Sequence, residues 1–154
     1  PDAGNEGWFT INRTPLADGY VSETMNGQQV APLMGDYTDN SVGTLRLRTV
    51  PNMWCHASCD HVVSTRLLPI DKSTTEVRVI WLVDEKAEEG KDYDLEKVMP
   101  FWQLTSEQDW TLCEAAQLGV QSSGYQPGPY STHKEYNVER FVRWYLNQLK
   151  KGAE

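Results

Sequence analysis

The spacing of apolar and polar residues splits the chain into a β-prone first part and a helical second part. Short runs such as Trp8-Phe9-Thr10-Ile11 and Gly43-Thr44-Leu45-Arg46-Leu47-Arg48-Thr49-Val50 alternate with turn-forming clusters such as Gly35-Asp36-Tyr37-Thr38-Asp39-Asn40. Residues 7–50 therefore predict a meandering antiparallel sheet with long loops. Residues 53–70 and 75–84 are rich in Val, Ile, Thr and aromatics, and in the second run Val77, Val79, Trp81 and Val83 share one face. Asp71-Lys72-Ser73-Thr74 between these runs predicts a hairpin.

The charged stretch from Asp84 to Asp92 reads as a solvated connector, beyond which the period changes to that of helices. Asp94 predicts the cap of a short helix through Met99. Pro100 then permits a fresh helical start or forces a kink, with helical character to about Val120. Thr105 with Gln108 also fits a capping box, so the pattern leaves two starts open for this helix. After Pro127-Gly128-Pro129, Thr132 with Glu135 matches another capping box, and Val138, Phe141, Val142, Tyr145 and Leu149 recur at helical spacing. The expected close is an amphipathic helix of about 16 residues. Strands first and helices last, with one long helix to cover the sheet, predict an α+β fold on an antiparallel sheet.

At 154 residues the chain fits one domain able to bury roughly two-thirds of its unfolded surface, so a sizeable core is expected without staples. Its net charge is −8 and its basic residues are scattered, which argues against nucleic acid as a partner. Three cysteines, no leader sequence and no apolar run of membrane-spanning length make a reducing cytoplasmic setting the expectation. The opening Pro1-Asp2-Ala3-Gly4-Asn5-Glu6-Gly7 has no initiator methionine and reads as a severed or flexible lead, so a fragment of something longer is expected.

Candidate chemistry centres on Thr105-Ser106-Glu107-Gln108-Asp109-Trp110-Thr111-Leu112-Cys113-Glu114-Ala115-Ala116-Gln117-Leu118-Gly119-Val120, followed by Tyr125-Gln126-Pro127-Gly128-Pro129. An acid in the first turn of a helix is usually structural, because the macrodipole favours it there. In mid-helix, beside Thr105, Leu112, Cys113 and Ala116, the same acid needs a partner, and a metal is one. This stretch resembles the end of the catalytic domain of Rieske non-haem iron oxygenases. Cys59-Asp60-His61-Val62-Val63 with Arg66 and Pro69, Trp81-Leu82-Val83, and Glu89-Gly90-Lys91-Asp92-Tyr93-Asp94-Leu95 resemble further family segments in the same order.

The resemblance implies a helix-grip fold, in which a curved antiparallel sheet wraps a long C-terminal helix around a deep cavity. It makes Asp109 the carboxylate of a two-histidine, one-carboxylate mononuclear Fe(II) site that keeps positions open for O2. His61, Thr105, Leu112 and Cys113 are the expected substrate-binding residues. It also implies electrons from NAD(P)H, delivered by a reductase or ferredoxin through a [2Fe-2S] Rieske cluster in an N-terminal domain. Oxygen is then inserted into a small organic substrate, aromatic or quaternary-ammonium, by a subunit that forms homotrimers. The family's two iron-binding histidines lie upstream in the pattern [DE]-x2-H-x4-H, and that segment is not among these residues, so these residues alone are expected to be inactive.

Two motifs mimic metal sites. His56 and His61 stand in an H-x4-H spacing, but on one strand an odd separation points them to opposite faces. Cys59-Asp60-His61 matches half of a Rieske signature, yet the C-x2-H half is absent from this sequence. Cys55 and Cys59 then read as small buried strand residues, Trp54 as core, and His61 as a histidine satisfied by a backbone carbonyl unless it lines the pocket. Trp102, Trp110 and Tyr125 offer a cation–π cage for a quaternary ammonium group, although aromatics at helical spacing are more often core. Two rival readings remain. A free-standing helix-grip carrier without metal predicts that Asp109→Ala leaves ligand binding intact, and a purely structural subunit predicts no cavity for a small molecule.

Overall fold

A computed structural model describes residues 8–131 and 133–152. Five strands come first: β1 (Phe9–Thr14), β2 (Thr44–Thr49), β3 (Met53–Ala57), β4 (Val62–Pro69) and β5 (Thr75–Leu82). Three helices follow: α1 (Leu95–Val98), α2 (Pro100–Val120) and α3 (Tyr136–Lys151). The strands form one sheet in the order β1-β2-β3-β4-β5, each pair antiparallel. This is the α+β meander that the pattern predicts.

The register fixes which side chains share a face. Asn12, Arg46, His56, Val63 and Trp81 lie in one transverse row, and Thr10, Arg48, Trp54, Thr65 and Val79 in the next. The helices lie on this face. The Trp102 ring of α2 meets His56, and Phe141 of α3 lines a 170 Å³ cavity with Trp54, Met53, Arg48 and Phe9. On β5 the expected alternation holds, since Val77, Val79 and Trp81 are half-buried between exposed neighbours.

Several local expectations change. Residues 53–70 are two strands, because the backbone reverses at 58–61, where the Ser58 amide donates to the His61 carbonyl. His56 therefore lies on β3 and His61 in the reversal that follows it, so alternation along a single strand does not apply to them. Helix α2 starts at Pro100, whose fixed φ and missing N–H suit a first helical position. Thr105 is consequently interior, and its hydroxyl donates back to the Phe101 carbonyl at 2.8 Å instead of capping. Asp94 stands at the cap of α1, but its carboxylate pairs with Lys97 and caps nothing. Helix α3 has the expected 16 residues. Thr132 of the second capping box and the opening Pro1–Gly7 lie outside the described residues.

The interior is not the apolar core that the chain length suggests. Among the described residues only Ala31, Cys59, Val63 and Val98 are fully buried apolar side chains. Ser22, Glu23, Thr24, Thr44, Ser58, Asp60, His61 and Thr65 are equally enclosed. Neither long helix buries a residue completely. Leu112 and Leu118 of α2, at 68% and 72% exposure, project from the outer side of the fold.

Candidate functional site

Asp109 lies midway along the 21-residue helix α2, away from the terminal turns in which the macrodipole accounts for an acid. Aspartate is a poor former in such a position. Its carboxylate is exposed and makes no hydrogen bond or ion pair among the described residues. By the helical repeat it shares a stripe with Trp102, Thr105 and Cys113. Thr105 is half-buried, whereas Leu112 stands to one side, open to solvent. Cys113 with Trp110, Glu114 and Gln117 lines a 570 Å³ cleft against Val77 and the β4–β5 turn. The structure thus brings Thr105, Asp109 and Cys113 together on α2.

His61 is placed differently. It sits at 1% exposure in the reversal between β3 and β4, where Nδ1–H donates to Asp60 Oδ1 at 2.8 Å. Its partner is therefore a carboxylate and not a backbone carbonyl, and Nε2 is buried with no partner among the described residues. None of the three cavities described here is lined by His61. Of the aromatic candidates, Trp102 packs on His56, Trp110 borders the cleft, and Tyr125 lies beyond the end of α2. No ring contact joins those three among the described residues.

Sequence reasoning missed the buried acids around this histidine. Asp60 Oδ1 also accepts from Ser22 Oγ at 2.6 Å, and Oδ2 accepts from the Val30 amide at 2.7 Å. Burial opposes its charge, but the hydrogen bonds from His61, Ser22 and Val30 outweigh it and hold the carboxyl below the ordinary carboxylate range. Glu23 accepts from Thr44 Oγ1 at 3.1 Å and Arg46 Nη2 at 3.3 Å, while its backbone amide donates to the Ser58 hydroxyl oxygen at 3.2 Å. These bonds tie the loop of residues 21–31 to the strand ends. Cys59, in the same reversal, is inert, because burial and the adjacent Asp60 charge push its thiol up to about 12.

His56 stands 3.8 Å from Glu23 Oε2, too far for a hydrogen bond, and its ring meets Trp102 edge to face at 4.1 Å. Burial, then the charges of Arg46 and Arg48, lower its pKa from 6.5 to about 4. The unfolded chain therefore binds the His56 proton more readily than the folded one. The neutral form's contribution is fully present above pH 6.5 and lost as pH falls toward 4. Stability should drop across that window by on the order of 3 kcal/mol. Urea unfolding at successive pH values, with His56→Gln flattening the slope, checks this; an unchanged slope in the variant would show that another group causes it.

Among the described residues no group of three His, Cys, Asp or Glu side chains could hold a metal ion, so these residues offer part of a metal site at most. Asp109, like Glu114 on the same helix, carries a carboxylate with no hydrogen bond or ion pair among the described residues. No helix of the described residues is long and apolar enough to cross a membrane.

Comparison with known proteins identifies the family. The family profile described as ring hydroxylating alpha subunit (catalytic domain) matches residues 7–151. The chain belongs to the ring-hydroxylating oxygenase alpha-subunit family. Within it, the chain is 43% identical over 140 residues to the glycine betaine monooxygenase oxygenase subunit of Chromohalobacter salexigens, covering 90% of this chain and 32% of that protein. It is 40% identical over 140 residues to the protein of the same description from Pseudomonas aeruginosa, covering 90% of this chain and 33% of that one. This alpha-subunit segment thus spans about a third of the length of these relatives.

Proposed function

We propose that this chain is the C-terminal portion of the catalytic domain of an oxygenase that hydroxylates a small quaternary-ammonium substrate of the glycine betaine type. The observation that carries the reading is an uncommitted carboxylate, Asp109, midway along α2 in a chain of this family. Asp109 is assigned as the single carboxylate ligand of a mononuclear Fe(II), whose two imidazole ligands come from a part of the polypeptide outside these residues. Thr105 and Cys113, on the same stripe of α2, are assigned to the substrate side, whereas Leu112 faces solvent and His61 is enclosed apart from the cavities, so neither is assigned to the pocket. The open apolar faces of α2 and α3 suit a segment that packs against more protein.

The iron, when bound, supplies dioxygen activation. One oxygen atom enters a C–H bond and the other leaves as water, with two electrons and two protons drawn from outside the site. Those electrons are assigned to NAD(P)H, through a reductase or ferredoxin and a [2Fe-2S] Rieske cluster on the same polypeptide, in a homotrimer working in the cytoplasm. What these residues do is hold one carboxylate on a helix and wall one side of the pocket. The names of the relatives favour this reading over a metal-free carrier.

The test is turnover by the longer polypeptide, supplied with O2, Fe(II), reductase and glycine betaine. Hydroxylation at an N-methyl carbon releases formaldehyde, which is the expected product. Oxygen uptake with an aromatic hydrocarbon and none with betaine would move the substrate class, and no uptake with either would return the carrier reading.

A further inference from the structure

We propose that His56 is a positioning residue, which sets the rotation of α2 about its axis and so the direction in which Asp109 presents its carboxylate. This inference rests on the reading of Asp109 as a metal ligand. Helix α2 is mostly solvent-exposed, and its ring contact with the sheet is in its first turn. There Trp102 meets His56 edge to face at 4.1 Å, braced by Phe101 at 5.5 Å and 88°. Trp102 and Asp109 lie two turns apart on the same stripe, so whatever fixes the indole fixes the angle of the carboxylate.

His56 is itself held firmly. It is the last residue but one of β3, the middle strand of the sheet, and is paired with Arg46 on one side and Val63 on the other. Behind it stands Glu23, immobilised by Thr44 and Arg46. A continuous series of contacts therefore runs from the 21–31 loop through Glu23, His56 and Trp102 to the helix that carries Asp109.

The sensitivity follows from helix geometry. A carboxylate about 5 Å from the helix axis swings by about 2 Å for a 20° rotation, whereas metal–ligand distances tolerate about 0.2 Å. A small loss of rotational definition in the first turn is thus enough to spoil a ligand two turns away. Asp109 itself has no partner among the described residues to correct it.

The test uses the longer polypeptide, with mononuclear Fe(II) counted by ferrozine and its nitric oxide complex read by electron paramagnetic resonance. His56→Ala is expected to weaken iron retention about tenfold and broaden the resonance. His56→Phe keeps a ring edge on Trp102 and should restore both. Trp102→Leu removes the other half of the contact, should match His56→Ala, and replaces it if that variant does not fold. Asp109→Ala separates the two ideas. If it keeps its iron, the ligand reading fails and the positioning role fails with it. If it loses iron while His56→Ala and Trp102→Leu keep theirs with an unchanged resonance, the positioning role alone is overturned. Equal loss in His56→Phe and His56→Ala also overturns it, because the ring contact is then not what acts.

Discussion

Asp60→Ala is expected to cost the fold about 3–5 kcal/mol, a large part of the total stability of an ordinary domain. The side chain is fully enclosed and receives three hydrogen bonds, from Ser22 Oγ, the Val30 amide and His61 Nδ1. Truncation strands all three donors away from water, at about 1–3 kcal/mol each when no other acceptor is found. It also releases two of the ties that hold the 21–31 loop. Ser22→Ala removes one of the bonds and should cost about 1–2 kcal/mol, so the pair of variants separates the hub from a spoke. Urea unfolding followed by tryptophan fluorescence measures both. A loss below about 1 kcal/mol for Asp60→Ala would mean that water reaches the site and replaces the carboxylate.

Asp109→Ala should behave in the opposite way. Replacing an exposed mid-helix aspartate by alanine improves helix propensity, so the fold should gain up to about 0.5 kcal/mol. The longer polypeptide should nonetheless lose its mononuclear iron, with affinity falling by more than about 100-fold, since even residues behind the ligands commonly matter 10- to 100-fold. Iron content after desalting and a urea midpoint on the same sample give both signs. Stability up with iron gone is the signature of a functional acid. Iron retained at wild-type level would reduce Asp109 to a surface residue and remove the argument for an oxygenase site on this helix.

The elements most legible in the sequence are those in which one period runs unbroken. Val77, Val79 and Trp81 give β5, where one face is half-buried, and Val138, Phe141 and Tyr145 give α3 by their period alone, since that face of the helix stays exposed among the described residues. The reversal at 58–61 was hidden because it holds neither glycine nor proline and is closed by hydrogen bonds instead. Thr105 misled because a capping box is a local pattern, whereas Pro100 had already begun the helix five residues earlier. Asp109 was legible only through the family resemblance, since an acid on a helix carries no mark of its purpose. Glu23 and Asp60 were invisible for a related reason. Charged residues are ordinarily solvated, and their partners Thr44, Arg46, Ser22 and Val30 are distant in the chain.

The polar interior has a thermal consequence. Exposing apolar surface on unfolding raises the heat capacity, and exposing polar surface lowers it. With eight polar or charged residues enclosed against four apolar ones among the described residues, the increment per residue should fall below the usual 12–15 cal/mol/K, roughly stated. The stability curve of this segment is then less sharply curved than that of a domain with an apolar core, so cooling should bring it toward cold denaturation less readily.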